Sequence, residues 1–314
     1  FMKLIACEPE AWSARESLRG RASVTINAES IRRAAPTLQS SRVTDGVAVI
    51  DIRGVMLASP DALDVFFGGF ANTRAVTRAV QLASADSGIG AIVLRIDSPG
   101  GSVEGLAELG DAVRLAAQRK RVVAVVEGMA ASAAYYAAAG ATEIVAARMD
   151  LLGSIGTVLI VYDASEAFKT AGVKVIPIVS GRLKATGELG TPLTADEQDY
   201  LQGIIDGYFS DFRRTVMSGR GRVVGPGEWS QVSDGRIFLA SEAKRLGLID
   251  GFGRMGDTLA RLHGERLAVQ SRAQRSFFRV LDMKAPRRRM GDRERGQRGE
   301  LQKIALAAAA CGVL

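Results

Sequence analysis

The sequence has little histidine and cysteine, and each shortage excludes a class of site. His263 is the only histidine, so a Ser-His-Asp triad would depend on one residue late in the chain. No Cys and His residues have the spacing of a metal site, and we expect neither a metal nor a cofactor. Cys7 and Cys311 stand near opposite ends, which excludes a disulfide framework and is typical of a reducing compartment.

Long apolar runs are also absent. No stretch of about 18 apolar residues occurs, so the sequence predicts no membrane span. Residues 2–7 resemble the end of a lipoprotein signal, but their apolar part is shorter than the roughly 7–15 residues of a signal-peptide core. We therefore expect a cytoplasmic protein.

The residues that are present indicate a globular protein with a sizeable core. Hydrophobic residues make up 47% of the 314 positions but aromatic residues only 6%, so small and aliphatic side chains must fill the core. The net charge of +7 comes largely from arginines between residues 264 and 300. This basic tail allows contact with nucleic acid, but nothing else in the sequence supports that contact.

Strand-like and helix-like segments alternate along the middle of the chain, which predicts an α/β fold with parallel strands joined by crossover helices. The predicted strands are 46–55, 91–96, 122–126, 143–147 and 173–179, together with a turn that enters a further strand within 153–161. The predicted helices are 72–83, 103–118, 130–139, 165–171 and 195–217. We divide the chain into an N-terminal arm at 1–42 with some helix near 28–35, a folded domain at 43–264, and a basic, partly disordered tail at 265–314.

Ser132 lies where the strand 122–126 gives way to an Ala-rich helix. Helix N-termini carry unpaired N–H groups and partial positive charge. A serine at such a point can be a nucleophile with an oxyanion site beside it. The alternative is a serine that only packs in a buried helix, and this stretch alone favours that alternative.

Two backbone N–H groups are candidates for the oxyanion site. Residues 97–101, 128–133 and 153–156 follow predicted parallel strands, and ligands bind at that edge of an open α/β sheet. Gly101 has no Cβ, so its N–H can approach a reacting carbonyl together with the N–H of Ala133. A simple tight turn is the alternative interpretation of the Ser-Pro-Gly-Gly sequence at 98–101.

A serine nucleophile needs a base, and without a usable histidine the candidates are a lysine or a carboxylate. A lysine can serve when burial or nearby positive charge lowers its pKa toward neutrality. Lys184 lies on the long polar loop 180–194, whereas Lys169 and Lys174 lie in ordinary amphipathic surroundings. Because exposed loop lysines are common, composition does not decide whether Lys184 is functional.

Five motifs occur in a fixed order: DSPGG at 97–101, ASAAYY at 131–136, GSIG at 153–156, SGRLK at 180–184 and DGRIF at 234–238. Together they resemble the signal peptide peptidase A-like serine peptidases, including the phage capsid-maturation peptidases of that group. The resemblance covers residues 46 to 253. It implies a Clp/crotonase-like fold with a mainly parallel sheet flanked by helices.

The resemblance also implies a Ser-Lys dyad. It assigns the nucleophile to Ser132, the general base to Lys184 and the oxyanion donors to Gly101 and Ala133. Ser154 matches a family serine that could orient the lysine or relay its proton, or it could simply cap a turn. Members of the family can form homo-oligomeric rings in which neighbouring subunits complete the dyad.

We therefore expect a serine endopeptidase that acts on a polypeptide, and specifically on phage capsid or scaffold proteins, within a phage prohead. One alternative is a cellular peptidase for signal peptides or protein quality control. A second is a crotonase-fold acyl-CoA enzyme, which would need acidic residues such as Glu104 and Glu127 in its site. A third is a non-catalytic scaffold protein with the same fold. The alanines around Ser132 suggest a shallow apolar pocket for small or medium side chains.

Overall fold

The computed structural model describes residues 5–7, 41–60, 69–221 and 229–284. The chain divides into two compact units, Phe1–Leu259 and Ala260–Leu314. The predicted helix at 28–35, the tail from residue 285 onward and Cys311 lie outside the described residues. The division into arm, domain and tail stays a prediction.

Twelve strands and eight helices lie within the described ranges. The strands are β1 (Ile5–Cys7), β2 (Ser41–Thr44), β3 (Val47–Arg53), β4 (Val55–Leu57), β5 (Phe70–Asn72), β6 (Ala91–Ser98), β7 (Gly100–Ser102), β8 (Arg121–Ala131), β9 (Glu143–Ala146), β10 (Leu151–Gly153), β11 (Ile237–Leu239) and β12 (Gly251–Phe252). The helices are α1 (Thr73–Ala85), α2 (Leu106–Ala117), α3 (Ala133–Ala139), α4 (Ser165–Thr170), α5 (Ala195–Arg220), α6 (Trp229–Val232), α7 (Ala240–Arg245) and α8 (Met255–Lys284).

The larger sheet is mainly parallel, as the sequence predicts. Its strand order is β11-β10-β8-β6-β3-β2, with β9 pairing both β8 and β12. Only the edge pairs β2–β3 and β10–β11 are antiparallel. The long strand β8 pairs with β9 in its first half and with β10 in its last three residues. The carboxyl ends of β6, β8 and β10 therefore meet at one edge.

A second, smaller sheet has the order β1-β7-β4-β5. It brings residues 100–102, which follow the end of β6, between β1 and β4. The turn after β6 is thus held on both sides by strand pairing. This pairing fixes the backbone of one predicted oxyanion motif.

Small residues let α2 and α5 approach α3 closely. Every residue of α3 is buried. A Cβ on Gly110 of α2 would lie 2.5 Å from the Tyr136 ring, and one on Gly219 of α5 would lie 1.8 Å from the Ala139 carbonyl oxygen. The Tyr136 ring packs edge-on against Phe212, with centroids 5.3 Å apart. The Ala-rich composition therefore serves close packing around the helix that follows Ser132.

Two predicted strands are wrong. Residues 153–161 were expected to be a turn entering a strand; the turn is present, with positive φ at Gly153 and Ser154, but β10 ends at Gly153 and no strand follows the turn. Residues 173–179 form no strand either, and Ile176 and Ile178 are 67% and 97% exposed. A β-branched segment forms a strand only when a neighbouring strand pairs with it, and no described residue pairs with this segment.

The last helix was not foreseen. Helix α8 runs from Met255 to Lys284, through residues where the sequence indicated no regular element. Within the described residues, no helix is both long and apolar enough to cross a bilayer.

Candidate active site

Ser132 stands in a constrained conformation at the junction of β8 and α3. Its backbone has φ 51° and ψ −118°, and its side chain makes no capping hydrogen bond. Its N–H donates to the Gly153 carbonyl at 2.8 Å, and its own carbonyl accepts from the Tyr136 N–H at 2.9 Å. The residue is 1% exposed. The backbone is fixed on both sides, while no described residue hydrogen-bonds the hydroxyl.

Ser154 occupies the equivalent position on the neighbouring strand. Parallel pairing aligns Ala131 with Gly153, which are the last residues of β8 and β10, and a serine follows each of them. Ser154 also has a positive φ of 50°, and its N–H donates to the Arg236 carbonyl at 2.7 Å. Positive φ at a residue other than glycine is strained, and such strain is frequent at functional sites.

The turn after β6 lies directly against the end of β8, as the sequence predicts. A Cβ on Gly128, which has φ 115°, would lie 2.7 Å from a carboxylate oxygen of Asp97. The Asp150 carboxylate accepts from the Gly128 N–H at 3.1 Å and so ties the end of β8 to the segment before β10. The buried Ser98 hydroxyl donates to the Gly54 carbonyl at 2.7 Å. Asp150 and Ser98 are supporting residues that the sequence did not single out.

The two predicted oxyanion donors are buried near this edge. Ala133 is the first residue of α3, so its N–H belongs to the helix turn whose N–H groups have no intrahelical acceptor. Gly101 pairs with Met56 of β4, and a Cβ on it would lie 1.9 Å from the Met56 carbonyl oxygen. Glycine is therefore required at this position for packing, and its role as an oxyanion donor stays a prediction.

Ser132 and Ser154 line one cavity of about 350 Å³. Its other lining residues come from the segment after β10, from α5 and from the turn before β11; they are Gly156, Thr157, Val158, Gln202, Ile205, Asp206, Phe209, Ser233, Asp234 and Gly235. The lining is more polar than the shallow apolar pocket that the sequence suggested. Sequence analysis did not single out its α5 residues, because they belong to none of the five motifs.

Lys184 lies elsewhere in this chain. It is exposed, it sits in a turn closed by its own N–H donating to the Gly181 carbonyl at 2.9 Å, and it does not line the Ser132 cavity. An ion pair between Arg182 and Asp196 ties this turn to the start of α5. The cavity is therefore lined by Ser132 and Ser154 but not by Lys184.

The acidic residues of the acyl-CoA alternative are also outside the cavity. Glu104 is exposed and pairs with Arg74 at 2.8 Å, and Glu127 does not line the cavity. Within the described ranges, no three side chains of His, Cys, Asp or Glu come together as a metal site.

Comparison with known proteins identifies the family. The sequence model of peptidase family S49 matches residues 114–268, and that of Clp protease matches residues 64–151. The Clp match agrees with the observed arrangement of a parallel sheet flanked by helices, so the expected fold class is confirmed.

Three relatives show how far the similarity extends. MJ0651 of Methanocaldococcus jannaschii, which carries a protease name, is 34% identical over 183 residues, or 58% of each chain. Protein slr0021 of Synechocystis, also named as a protease, is 32% identical over 187 residues, which cover 58% of this chain and 67% of the relative. Capsid assembly protease C of Escherichia phage lambda is 26% identical over 215 residues, which cover 68% of this chain and 47% of the relative.

The match to MJ0651 thus spans only 58% of that relative's length, whereas the match to slr0021 spans two thirds. The S49 match, at residues 114–268, includes both Ser132 and Ser154. The chain belongs to peptidase family S49, a family of serine-type peptidases.

Proposed function

We propose that this chain is a serine endopeptidase with Ser132 as its nucleophile. The observation that carries the proposal is the position of Ser132, which lines a cavity at the N-terminus of α3 and holds a positive φ of 51°. A serine that served only packing would have no need of this strained backbone, which is frequent at functional sites. Membership of a serine-type peptidase family supports the same role.

The chemistry follows from the position of Ser132. Its oxygen attacks the scissile carbonyl while a base takes the hydroxyl proton, giving a tetrahedral oxyanion. The N–H groups of Ala133 and Gly101 are the proposed donors to that oxyanion. Collapse expels the amine, which takes the proton back from the base, and water then hydrolyses the acyl-serine ester by the same route.

We assign the base to Lys184, acting from a neighbouring copy of the chain. Two observations support a base from another subunit: Lys184 does not line the cavity of its own chain, and it lies on an exposed turn. The same segment exposes Ile176 and Ile178, which a contact between copies would cover. A homo-oligomeric ring would satisfy these observations together. Ser154, beside Ser132, would then orient the incoming lysine.

The proposed substrates are phage capsid or scaffold proteins. The support is the similarity to the lambda capsid assembly protease over 68% of this chain. The prohead as the place of action, and the alternative cellular role in signal-peptide or quality-control proteolysis, both stay predictions. Contact with nucleic acid has no support, and the acyl-CoA alternative is not favoured because Glu104 and Glu127 lie outside the cavity.

The test is proteolysis by the full chain and its variants. We expect the native chain to cleave an unfolded protein such as casein, and both Ser132→Ala and Lys184→Ala to lose at least about a thousandfold in rate. Lys174→Ala is the matched control and should keep native activity, since Lys174 is an exposed lysine of the same segment. Native activity in Ser132→Ala would overturn the assignment of the nucleophile.

Mixing the two inactive variants tests the origin of the lysine. If neighbouring copies complete the dyad, Ser132→Ala and Lys184→Ala chains mixed during refolding should regain part of the native rate. A mixture that stays inactive while each variant still assembles would place the base within the same chain.

A further inference from the structure

One face of α5 borders the cavity that contains Ser132. Gln202, Ile205, Asp206 and Phe209 all line it, and their spacing of three and four residues puts them on the same side of the helix. These four side chains therefore form one wall of the cavity, and the catalytic step proposed above does not use them.

That wall carries a carboxylate without a cationic partner. Two carboxylates line the cavity, whereas none of its lining residues is a lysine or arginine. Asp234 already accepts from the Arg236 side chain at 2.7 and 2.9 Å. Asp206 accepts only from the Gln202 amide, at 2.7 Å, and forms no salt bridge with any described residue.

Three apolar side chains also line the cavity, among its polar residues. Val158, Ile205 and Phe209 line the cavity together with Asp206. Lysine and arginine side chains bury their aliphatic stems against such surfaces while their charged ends reach a polar group. A volume of about 350 Å³ is at the lower end of the roughly 300–1,000 Å³ of ligand pockets and leaves room for a long side chain.

We infer that this cavity binds a lysine or arginine side chain of the polypeptide substrate beside the scissile bond, and that Asp206 selects it. The inference rests on the proposed peptidase function and names the class of substrate. The stem packs on Ile205 and Phe209, and the cationic end donates to the Asp206 carboxylate. Asp206 is exposed at the cavity wall, where its negative charge favours a cation over a neutral or acidic side chain.

The experiment compares fluorogenic peptides that differ at a single position. Each position from four residues before to four residues after the scissile bond carries in turn lysine, norleucine or glutamate in an otherwise constant peptide. Norleucine keeps the aliphatic stem without the charge. For the native chain we expect kcat/KM at one position to be highest for lysine and lowest for glutamate.

Substitution of Asp206 tests whether it is the selecting group. In Asp206→Asn the ratio of kcat/KM for lysine over norleucine should fall roughly two- to fivefold, the range for losing an ion pair at an exposed carboxylate. Asp206→Arg should invert the preference toward glutamate. Asp199→Asn, an exposed aspartate of the same helix that does not line the cavity, is the matched control and should leave the ratio unchanged.

The outcomes separate the two proposals. A native chain that cleaves norleucine peptides as fast as lysine peptides overturns the selection while leaving the peptidase function standing. An equal loss on both peptides in Asp206→Asn also overturns it, because Asp206 would then act in catalysis or in holding the base. A native chain that cleaves none of the peptides and no protein contradicts the peptidase function itself.

Discussion

Ser132 and Ser154 show how a single backbone feature prepares a reactive site. Each follows the last residue of a strand, and parallel pairing of β8 with β10 places the two side by side. Each has a φ near 50°, which costs of order 1–3 kcal/mol for a side-chain-bearing residue. The chain leaves both strands sharply, and both hydroxyls line the same cavity as a result.

This strain predicts opposite effects on stability and activity. Ser132→Gly should abolish proteolysis yet raise the free energy of unfolding by about 1 kcal/mol, because glycine adopts positive φ without strain and this gain exceeds its entropic cost. Urea denaturation measures the change. Ala133→Gly, one residue into α3, is the control and should destabilise the fold. A Ser132→Gly chain that is less stable than native would show that Ser132 is not strained.

At the scale of elements, the sequence predicts those strands and helices that pack against another strand or helix. β3, β6, β8 and β9 appear where β-branched runs predicted them, and α1, α2 and α5 begin within a few residues of the predicted positions. These elements bury one face against a sheet or another helix, so local pattern and tertiary environment agree.

Prediction from the sequence fails where the local pattern and the tertiary environment disagree. Residues 173–179 have a strand pattern but no partner among the described residues, and so they form no regular element and are mostly exposed. The cavity wall of α5 was missed because its residues belong to none of the five motifs. Ser132, Ser154, Gly101 and Ala133 could be proposed from motifs, whereas the separation of Lys184 depends on how the long loop folds.

Helix α5 begins with a reciprocal cap. The Thr194 hydroxyl accepts from the Glu197 N–H at 3.3 Å, and the Glu197 carboxylate accepts from the Thr194 N–H at 3.0 Å. We expect Thr194→Ala to lower the free energy of unfolding by about 1 kcal/mol, as measured by thermal or urea denaturation. A loss below a few tenths of a kcal/mol would show that this turn contributes nothing to the fold.

The cap also predicts a pH dependence. The Thr194 backbone N–H, and then its hydroxyl, hold the pKa of the exposed Glu197 carboxyl below its usual value. The carboxylate form is thus favoured in the folded state, so this stabilisation is present above the unfolded pKa of about 4.3 and is lost as the pH falls through the lower folded value. The difference in stability between the native chain and Thr194→Ala should therefore narrow below about pH 4.

At the scale of the first compact unit, one buried ion pair fastens the far end of α5. Arg220 is 3% exposed and donates to both carboxylate oxygens of Asp250 at 2.9 Å, while Asp250 also accepts from the Ile144 N–H at 2.7 Å. The pair joins the end of α5 to the residue before β12 and to the start of β9. The helix that lines the cavity is thus anchored to the sheet at its other end.

Removing one partner leaves a buried charge. Asp250→Ala should destabilise the fold by about 3 kcal/mol, at the lower end of the range for breaking a buried pair because this carboxylate is one third exposed. Urea denaturation of the variant measures the loss. Asp257→Ala, an exposed aspartate in the first turn of α8, is the control and should change stability little. A loss below about 1 kcal/mol for Asp250→Ala would mean that water solvates Arg220 well enough to replace the pair.

The central claim is that Ser132 is the nucleophile, and covalent labelling tests it most directly. A fluorophosphonate incubated with the full chain should modify a single residue, and mass spectrometry of the digest should locate the adduct on Ser132. Ser132→Ala should take up no label, and Ser154→Ala should still be labelled at Ser132. Labelling at another residue, or undiminished labelling of Ser132→Ala, would contradict the account.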